Sequence, residues 1–247
     1  MISQTWLATA LAVFLRIGAA FLVLPAFGEN MIPLRVRLGA ALAFTVMLTP
    51  MVISDLPVGA VMPPIRFFLT EAVAGLIIGI ALRLVVHALQ IAGTIAAQST
   101  SLSQIMGGAM PDPQPAIGTI MMLAGLTLAV INGLHVHLAV AFLRSYDLLL
   151  IGQWPDAQAL AGWGVAQVSQ AFSLAFSLAA PFMIASLLYN VALGVINKAM
   201  PQLMVAFVGA PAITLGGLVL LLATMPFILP IWLTAFDAAM ADPLGSR

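Results

Sequence analysis

Long apolar runs alternate with short polar intervals along this chain, and several runs reach the roughly 20 residues that cross a bilayer core. The pattern predicts six apolar helices. They cover residues 5–26, 38–53, 67–97, 117–143, 168–196 and 203–236. The longest polar intervals, 98–116 and 144–166, are too short to bury a core of their own. We therefore predict one membrane-embedded domain over residues 1–247.

The predicted helices are unequal in length. The second run has about 16 residues, which is marginal for a full crossing, whereas the third would be roughly 46 Å long if wholly helical. In the sixth run, Pro211, Pro226 and Pro230 remove backbone donors, so we expect this segment to bend or divide. The fold class predicted is an all-α polytopic membrane protein with about six irregular or broken helices.

The composition supports the interpretation as a membrane protein and excludes several other classes of protein and of site. The chain is 63% hydrophobic and 6% charged, whereas soluble domains carry about 25% charged residues. A formal net charge of zero gives no electrostatic basis for nucleic-acid binding. The absence of cysteine excludes disulfides, thiolate metal sites and cysteine nucleophiles. No cofactor is expected.

The charges near the ends of the apolar runs give little information about how the chain crosses the membrane. Residues 1–5 contain no Lys or Arg, so we interpret the first run as a retained helix and not as a signal peptide. Basic residues in alternate loops are equally numerous, so the positive-inside rule predicts no topology. The loops on one side of the membrane would contain Arg35, Arg37 and Lys198, and the loops on the other side would contain Arg66, Arg144 and Arg247.

Three charges interrupt the apolar runs, namely Arg16, Glu71 and Arg83. Each costs a few kcal/mol in a membrane unless it is paired, solvated or snorkelling. Glu71 and Arg83 are separated by roughly 18 Å along one helix, so Glu71 can pair only across helices or subunits. A proton or ion pathway is one interpretation; structural pairing or snorkelling is the one we favour.

Other polar and small residues also interrupt the runs. His135 and His137 follow Asn132-Gly133 and point to different helix faces, which does not make the i, i+4 zinc pair. They could form a proton relay, although helix-packing hydrogen bonds are the more ordinary role. Gly75 and Gly79 form a G-x-x-x-G element that permits close helix packing in lipid.

The most unusual stretch is Ser99 to Ala116, which reads STSLSQIMGGAMPDPQPA. Gly-Gly gives conformational freedom and methionine gives deformable apolar contact, so the stretch could seal a pore and then yield. The alternative is an ordinary re-entrant or surface loop. The candidate plug residues are Gln104, Ile105, Met106, Gly107, Gly108, Met110, Pro111, Asp112 and Pro113. Phosphate-loop, nucleophile-elbow, paired-carboxylate and metal signatures are absent from the sequence, so we do not expect an enzyme.

Short motifs along the whole chain resemble one family. They are Pro25-Ala-Phe27-Gly28, Ile32-Pro33 followed by Arg35 and Arg37, Glu71 with Gly75 and Gly79, Gln90-Ile-Ala-Gly93, Gln98, Asp112-Pro113, Asn132-Gly133-x-His135, Asn190-x-x-Leu193-Gly194, Pro201-Gln202-Leu203 and Gly209-x-Pro211. In order and spacing the chain resembles the FliR family of flagellar biosynthesis membrane proteins, whose counterparts in virulence type III secretion are the T-type export apparatus proteins. Three features depart from the pattern: Met204 replaces a usual Asn, Phe207 comes one residue later than the pattern expects, and Thr94 replaces a frequent Asp.

The resemblance implies a protein export gate in the bacterial inner membrane, at the centre of the flagellar basal body. Family members assemble with several copies of P-type and Q-type membrane proteins (FliP and FliQ), and their fold resembles a P-type and a Q-type subunit fused. Further partners would be FlhA- and FlhB-like export proteins and unfolded protein substrates.

The resemblance also implies roles for particular residues. The stretch 99–116 would be the pore plug, and Arg16, Glu71 and Arg83 would be buried polar contacts. Subunit packing would fall to Gly75, Gly79, Gly194, Pro201 and Gln202. The main alternative is a stand-alone secondary transporter with broken helices. An intramembrane enzyme is disfavoured because no catalytic spacing is present.

Overall fold

The structure is a computed structural model, and it describes residues 4–27, 32–52, 65–100, 116–200 and 205–244. Within these ranges the ordered elements are all α-helices, as the apolar runs predict. They are α1 Gln4–Val23, α2 Leu34–Val52, α3 Ile65–Thr100, α4 Ala116–Ile131, α5 Leu134–Leu148, α6 Ala157–Ala199 and α7 Val205–Ala241. The predicted all-α class is confirmed.

Most of these helices are suited to a membrane. Among the described residues, five are long and apolar enough to cross one, and α4 with α5 forms a broken pair that could count as a sixth span. α3 has 36 residues and α6 has 43, which corresponds to about 54 and 64 Å. Both exceed the roughly 30 Å hydrocarbon core, so a polytopic protein with irregular helices is confirmed.

Three of the helical segments differ from the prediction in ways that matter for the fold. The fourth run is not one helix, because the chain breaks at Asn132-Gly133 and Gly133 has a φ of 84°, which favours glycine. α6 begins at Ala157, eleven residues before the predicted start of that run. The sixth run does not divide at its prolines, since α7 is continuous from Val205 to Ala241; membrane helices tolerate proline where other groups satisfy the freed backbone.

The chain forms two compact units, and each draws on distant parts of the sequence. The first comprises Met1–Val85, Ala129–Ser169 and Ala235–Arg247. Its core contains an aromatic cluster around the fully buried Phe21. The Phe27 ring stacks on that of Phe21 with centroids 4.5 Å apart, and the Phe44 ring meets it edge-on at 5.5 Å. Aromatic pairs at these distances stabilise the contact between α1 and its neighbours beyond area burial.

The second unit comprises Val86–Leu128 and Gln170–Thr234. Trp232 of α7 is fully buried in it. Gly125 of α4 makes room for that ring, because a Cβ atom at Gly125 would lie 3.2 Å from Trp232 Cζ3. Leu89 of α3 packs against the same position, since its Cδ2 atom would lie 2.5 Å from a Cβ atom on Gly125. α3, α4, α6 and α7 each contribute residues to both units.

Candidate functional site

A buried ion pair lies in the first unit. Arg16 of α1 and Glu71 of α3 are both fully buried, and Arg16 Nε donates to Glu71 Oε2 over 2.8 Å. The other two guanidinium nitrogens donate as well: Nη1 to Ser145 Oγ over 3.0 Å and Nη2 to the Leu149 carbonyl over 2.9 Å. Every nitrogen of this side chain therefore has an acceptor, as a buried charge requires.

Both carboxylate oxygens of Glu71 also have hydrogen-bond donors. Its second carboxylate oxygen, Oε1, accepts a hydrogen bond from the Gly152 amide over 3.1 Å. Gly152 lies in the turn between α5 and α6 and has a φ of 73°, a left-handed conformation that favours glycine. A Cβ atom there would also come within 2.5 Å of the Phe67 ring. The site therefore needs glycine at position 152 for two independent reasons.

Packing around the pair brings α1 and α3 unusually close. A Cβ atom added to Gly75 would overlap the Arg16 carbonyl oxygen, and one added to Gly79 would lie 2.8 Å from the Ala20 carbonyl oxygen. The close approach that this G-x-x-x-G element permits is thus made within the chain, to α1. A role of Gly75 and Gly79 between subunits, as the resemblance implied, stays a prediction.

An aromatic ring completes the enclosure of Arg16. The guanidinium carbon lies 3.8 Å from the centroid of the buried Tyr146 ring, which is cation–π geometry. Together with Ser145 on the same helix, Tyr146 joins α5 to the pair formed by α1 and α3. The arrangement neutralises the charges and connects three helices and one turn, so its chemistry is that of a structural cross-link.

The third predicted charge lies apart from this pair. Arg83 is half-buried, and its Nη1 donates to the Val23 carbonyl over 3.1 Å. Val23 is the last residue of α1, where backbone carbonyls have no partner within the helix and the macrodipole is negative. Arg83 thus stabilises the C-terminal end of α1 by hydrogen bonding and by charge.

The polar residues around the α4–α5 break form a second, more exposed cluster in the same unit. Asn132 Nδ2 donates to Asp237 Oδ2 over 3.2 Å, and His137 Nδ1 lies 3.6 Å from Asp237 Oδ1. His137 and Asp237 line an open cavity of about 260 Å³ with Arg144. His135 is exposed. Within the described part of the chain, no group of three His, Cys, Asp or Glu side chains could hold a metal.

Several predicted site residues cannot be placed by this structure. The plug residues Gln104, Ile105, Met106, Gly107, Gly108, Met110, Pro111, Asp112 and Pro113, together with Pro201 and Gln202, lie outside the described residues. Gly194, the remaining packing candidate, is exposed on α6, and a Cβ atom there would meet nothing within 4 Å. Its assignment to subunit packing stays a prediction.

Sequence reasoning missed the partners of the ion pair. Ser145 and Gly152 belong to an interval that was interpreted only as polar, and Leu149 contributes a carbonyl that carries no residue-type signal. Gly152 was the one that could have been found, because Ile151-Gly152-Gln153 between two helical patterns is typical of a turn.

Comparisons with known proteins agree along the whole chain. A family model described as bacterial export proteins, family 1, matches residues 7–239. A Caulobacter vibrioides protein named flagellar biosynthetic protein FliR is 33% identical over 227 residues, covering 90% of each chain. Proteins of the same name from Escherichia coli and Bacillus subtilis are 32% and 26% identical, covering 92% and 88% of this chain and 89% and 86% of theirs.

Proposed function

The chain belongs to the bacterial export proteins, family 1, and we propose that it works as one subunit of a gated conduit for unfolded protein in the flagellar export apparatus. The family match over residues 7–239 is the observation that carries this assignment. The chain is a membrane protein of that apparatus. Its location would be the bacterial inner membrane, at the centre of the flagellar basal body.

The partners would be P-type and Q-type membrane proteins (FliP and FliQ), with FlhA- and FlhB-like proteins nearby. Support comes from the two longest apolar helices, which bury little surface within the chain. Only 28% of the α6 span and 17% of the Ala212–Ala241 span are buried. Large side chains such as Leu188 and Leu222 are 65% and 78% exposed. Such faces are available to helices of other subunits as well as to lipid.

The subunit would act passively, as a component of the conduit and not as a catalyst. The buried pair Arg16–Glu71 supports this, because its donors and acceptors are occupied by fixed protein groups. A proton or ion pathway would need polar groups that face a solvated cavity. Energy for export would then come from other components of the apparatus.

The stretch 99–116 would provide the seal of the conduit. Its support is compositional: Gly-Gly and methionine side chains can seal against ions and still be displaced by an unfolded chain. Deletion of residues 104–111 should therefore make membranes that contain the assembled complex leaky to small ions. Unchanged ion conductance with the complex intact would contradict the plug assignment.

Native mass spectrometry tests the assembly most directly. The tagged chain would be co-expressed with its P-type and Q-type partners and extracted in mild detergent. We expect one copy of this chain in a stable complex with several copies of each partner. A lone monomer, with both partners expressed but absent from the complex, would contradict the proposal. Substrate-dependent uptake by vesicles that hold this chain alone would favour a transporter instead.

A further inference from the structure

Two opposite charges line one open cavity of the first unit without pairing with each other. Arg144 of α5 and Asp237 of α7 both line the cavity of about 260 Å³, with His137 beside them. The ion pairs found among the described residues are Arg16–Glu71 and His137–Asp237, so Arg144 and Asp237 do not contact each other as a salt bridge. A ligand that carries both a negative and a positive group would be complementary to this arrangement.

Both charged side chains have hydrogen-bonding capacity left for a ligand. Arg144 is exposed, and its Nη1 makes one long hydrogen bond, to the Ala241 carbonyl over 3.5 Å. A guanidinium group has five N–H donors, so most of them remain available. The Asp237 side chain is 36% exposed, and its Oδ2 accepts a hydrogen bond from Asn132. A carboxylate oxygen can accept more than one such bond.

The cavity lies where two long uncharged stretches of the chain end. Residues 113–143 and 199–236 contain no Asp, Glu, Lys or Arg, and Arg144 and Asp237 are the first charges that follow them. Charged side chains are costly in the hydrocarbon core, whereas the adjoining region of a bilayer is polar and contains the lipid headgroups. We therefore expect the cavity to lie at the level of the headgroups.

α5 also presents an apolar strip that leads to the cavity. Val136, Val140 and Arg144 follow one another at four-residue spacing, so they share one face of the helix. Val136 and Val140 are 54% and 40% exposed, and Val140 lines the cavity together with Met240. Apolar side chains followed by a cation match the order of groups in a phospholipid, in which an acyl chain is followed by a phosphate.

We propose that this cavity binds the headgroup of a phospholipid whose phosphate carries a primary amine. Arg144 would donate to the phosphate, which guanidinium groups bind in bidentate geometry, and Asp237 would accept from the ammonium group. A phosphate without the amine would meet the Asp237 carboxylate as a like charge. A quaternary amine would have no N–H group to donate. The inference does not depend on the proposed function, because it uses no partner subunit.

The test is native mass spectrometry of the full-length chain, with whichever partners copurify, in mild detergent that contains equal amounts of defined lipids. The wild type should retain phosphatidylethanolamine severalfold more than phosphatidylcholine or phosphatidylglycerol. Arg144→Gln should lower the retention of phosphatidylethanolamine severalfold. Arg35→Gln is the matched control, because Arg35 is exposed on α2 and the change in net charge is the same. Its lipid retention should equal that of the wild type.

Asp237→Asn gives a second and more specific result. The amide oxygen can still accept from Asn132, but the negative charge is lost, so the preference should move from phosphatidylethanolamine towards the anionic phosphatidylglycerol. A mere change in packing would not reverse the selectivity in this way. If Arg144→Gln cannot be purified in folded form, Asp237→Asn decides: unchanged selectivity in that variant would overturn the inference.

Two other outcomes would also contradict it. The first is equal retention of phosphatidylethanolamine and phosphatidylcholine by the wild type, or an equal loss in Arg35→Gln and Arg144→Gln. The second concerns the source of the headgroup. Soluble phosphoethanolamine at the concentration of the lipid should not displace it, because the soluble compound has no acyl chains to contact the apolar strip. Displacement at that concentration would show that the site takes a soluble ligand and not a lipid.

Discussion

Arg16 illustrates how an isolated charge can be retained in an apolar core. A guanidinium group presents donors in a fixed planar fork, and it can be buried only where acceptors match that fork. The acceptors come from α3, from α5 and from the turn that follows α5. The residue therefore reports on the correct packing of α1 against α3, α5 and that turn, since no single neighbouring element satisfies it.

Removing one partner of this pair should destabilise the protein strongly. Arg16→Leu leaves the Glu71 carboxylate buried without its counter-charge, and Glu71→Leu does the same to Arg16. Each change should cost about 3–5 kcal/mol of unfolding free energy, because it leaves an uncompensated buried charge. The midpoint of thermal unfolding of the purified complex would measure the effect.

The double variant Arg16→Leu, Glu71→Leu distinguishes pairing from two separate contributions. We expect it to cost clearly less than the sum of the single changes, because it buries no charge. Arg83→Leu is the comparison on the same helix as Glu71, and it should cost less because Arg83 is only half-buried. Additive losses in the double variant would show that the two charges are not coupled.

Gly152→Ala should also destabilise the first unit, by at least about 1–3 kcal/mol. The alanine would adopt a left-handed backbone conformation and would collide with the Phe67 ring. Adding Phe67→Leu should restore part of the loss, because it relieves the collision but not the backbone strain. Equal unfolding midpoints for Gly152→Ala and for the helical control Gly162→Ala would contradict this explanation.

For single residues, the sequence identifies which ones are unusual, but it does not identify what they contact. Arg16, Glu71 and Arg83 are recognisable because they interrupt apolar runs, and spacing alone excludes a pair within α3. The choice of Arg16 as the partner of Glu71 depends on which helices pack together. No local pattern contains that information. The Leu149 carbonyl is likewise invisible in a sequence, because every residue carries one.

Among the helices, the early start of α6 has a local cause. Asp156 precedes the helix, and its carboxylate accepts hydrogen bonds from the Gln158 amide over 3.2 Å and the Ala159 amide over 3.5 Å. These are amides of the first turn, which otherwise have no partner within the helix. The cap allows a helix to begin in a segment that is not strongly apolar, which hydropathy alone does not predict.

Asp156→Ala should therefore loosen the first turn of α6 without affecting the rest of the helix. N-cap removal costs about 1 kcal/mol, so hydrogen exchange of the Gln158 and Ala159 amides should become faster by roughly fivefold. Asp156→Asn keeps a capping oxygen and should exchange nearly as the wild type does. Identical exchange in the alanine and asparagine variants would show that the carboxylate does not cap the helix.

The helix breaks of the structure are not where the sequence analysis placed them, for a physical reason. The fourth run was predicted as one helix, yet the chain breaks at Asn132-Gly133, a pair that carries a recognisable turn signal. The prolines of the sixth run carry an equally strong signal, yet α7 remains one helix. A glycine with positive φ stops a helix by conformation, whereas a proline only removes one hydrogen bond and crowds one carbonyl. Surrounding membrane packing can absorb the second defect.

For the molecule as a whole, apolar composition was sufficient to predict an all-α membrane protein. Run lengths also indicated irregular spans, which α3 and α6 confirm. The two compact units could not be predicted, because each is assembled from segments far apart in sequence. Such contacts depend on how side chains of particular shapes pack together, as Trp232 packs on Gly125. The hydropathy of a segment carries no information about these shapes.

The outer faces of α6 and α7 lead to a prediction about partners. A photo-crosslinking residue at position 222, where Leu222 is 78% exposed, should form an adduct with a partner subunit in the assembled complex. The same residue at position 221, where Leu221 is 7% exposed, should crosslink only within the chain. Mass analysis of the adducts distinguishes the two. Lipid adducts alone at position 222 would show that this face is not an interface.

The division of the first unit among three stretches of sequence has a consequence for biosynthesis. Ribosomes add roughly 5–20 residues per second, so about 8–30 s pass between the emergence of Val85 and that of Ala235. Only then can Trp163 Nε1 donate to the Pro243 carbonyl, and Arg144 reach the Ala241 carbonyl. During this interval the N-terminal helices already lie in the bilayer without their last neighbours. A chain truncated before Ala235 would therefore be held in that unfinished state and exposed to membrane proteases.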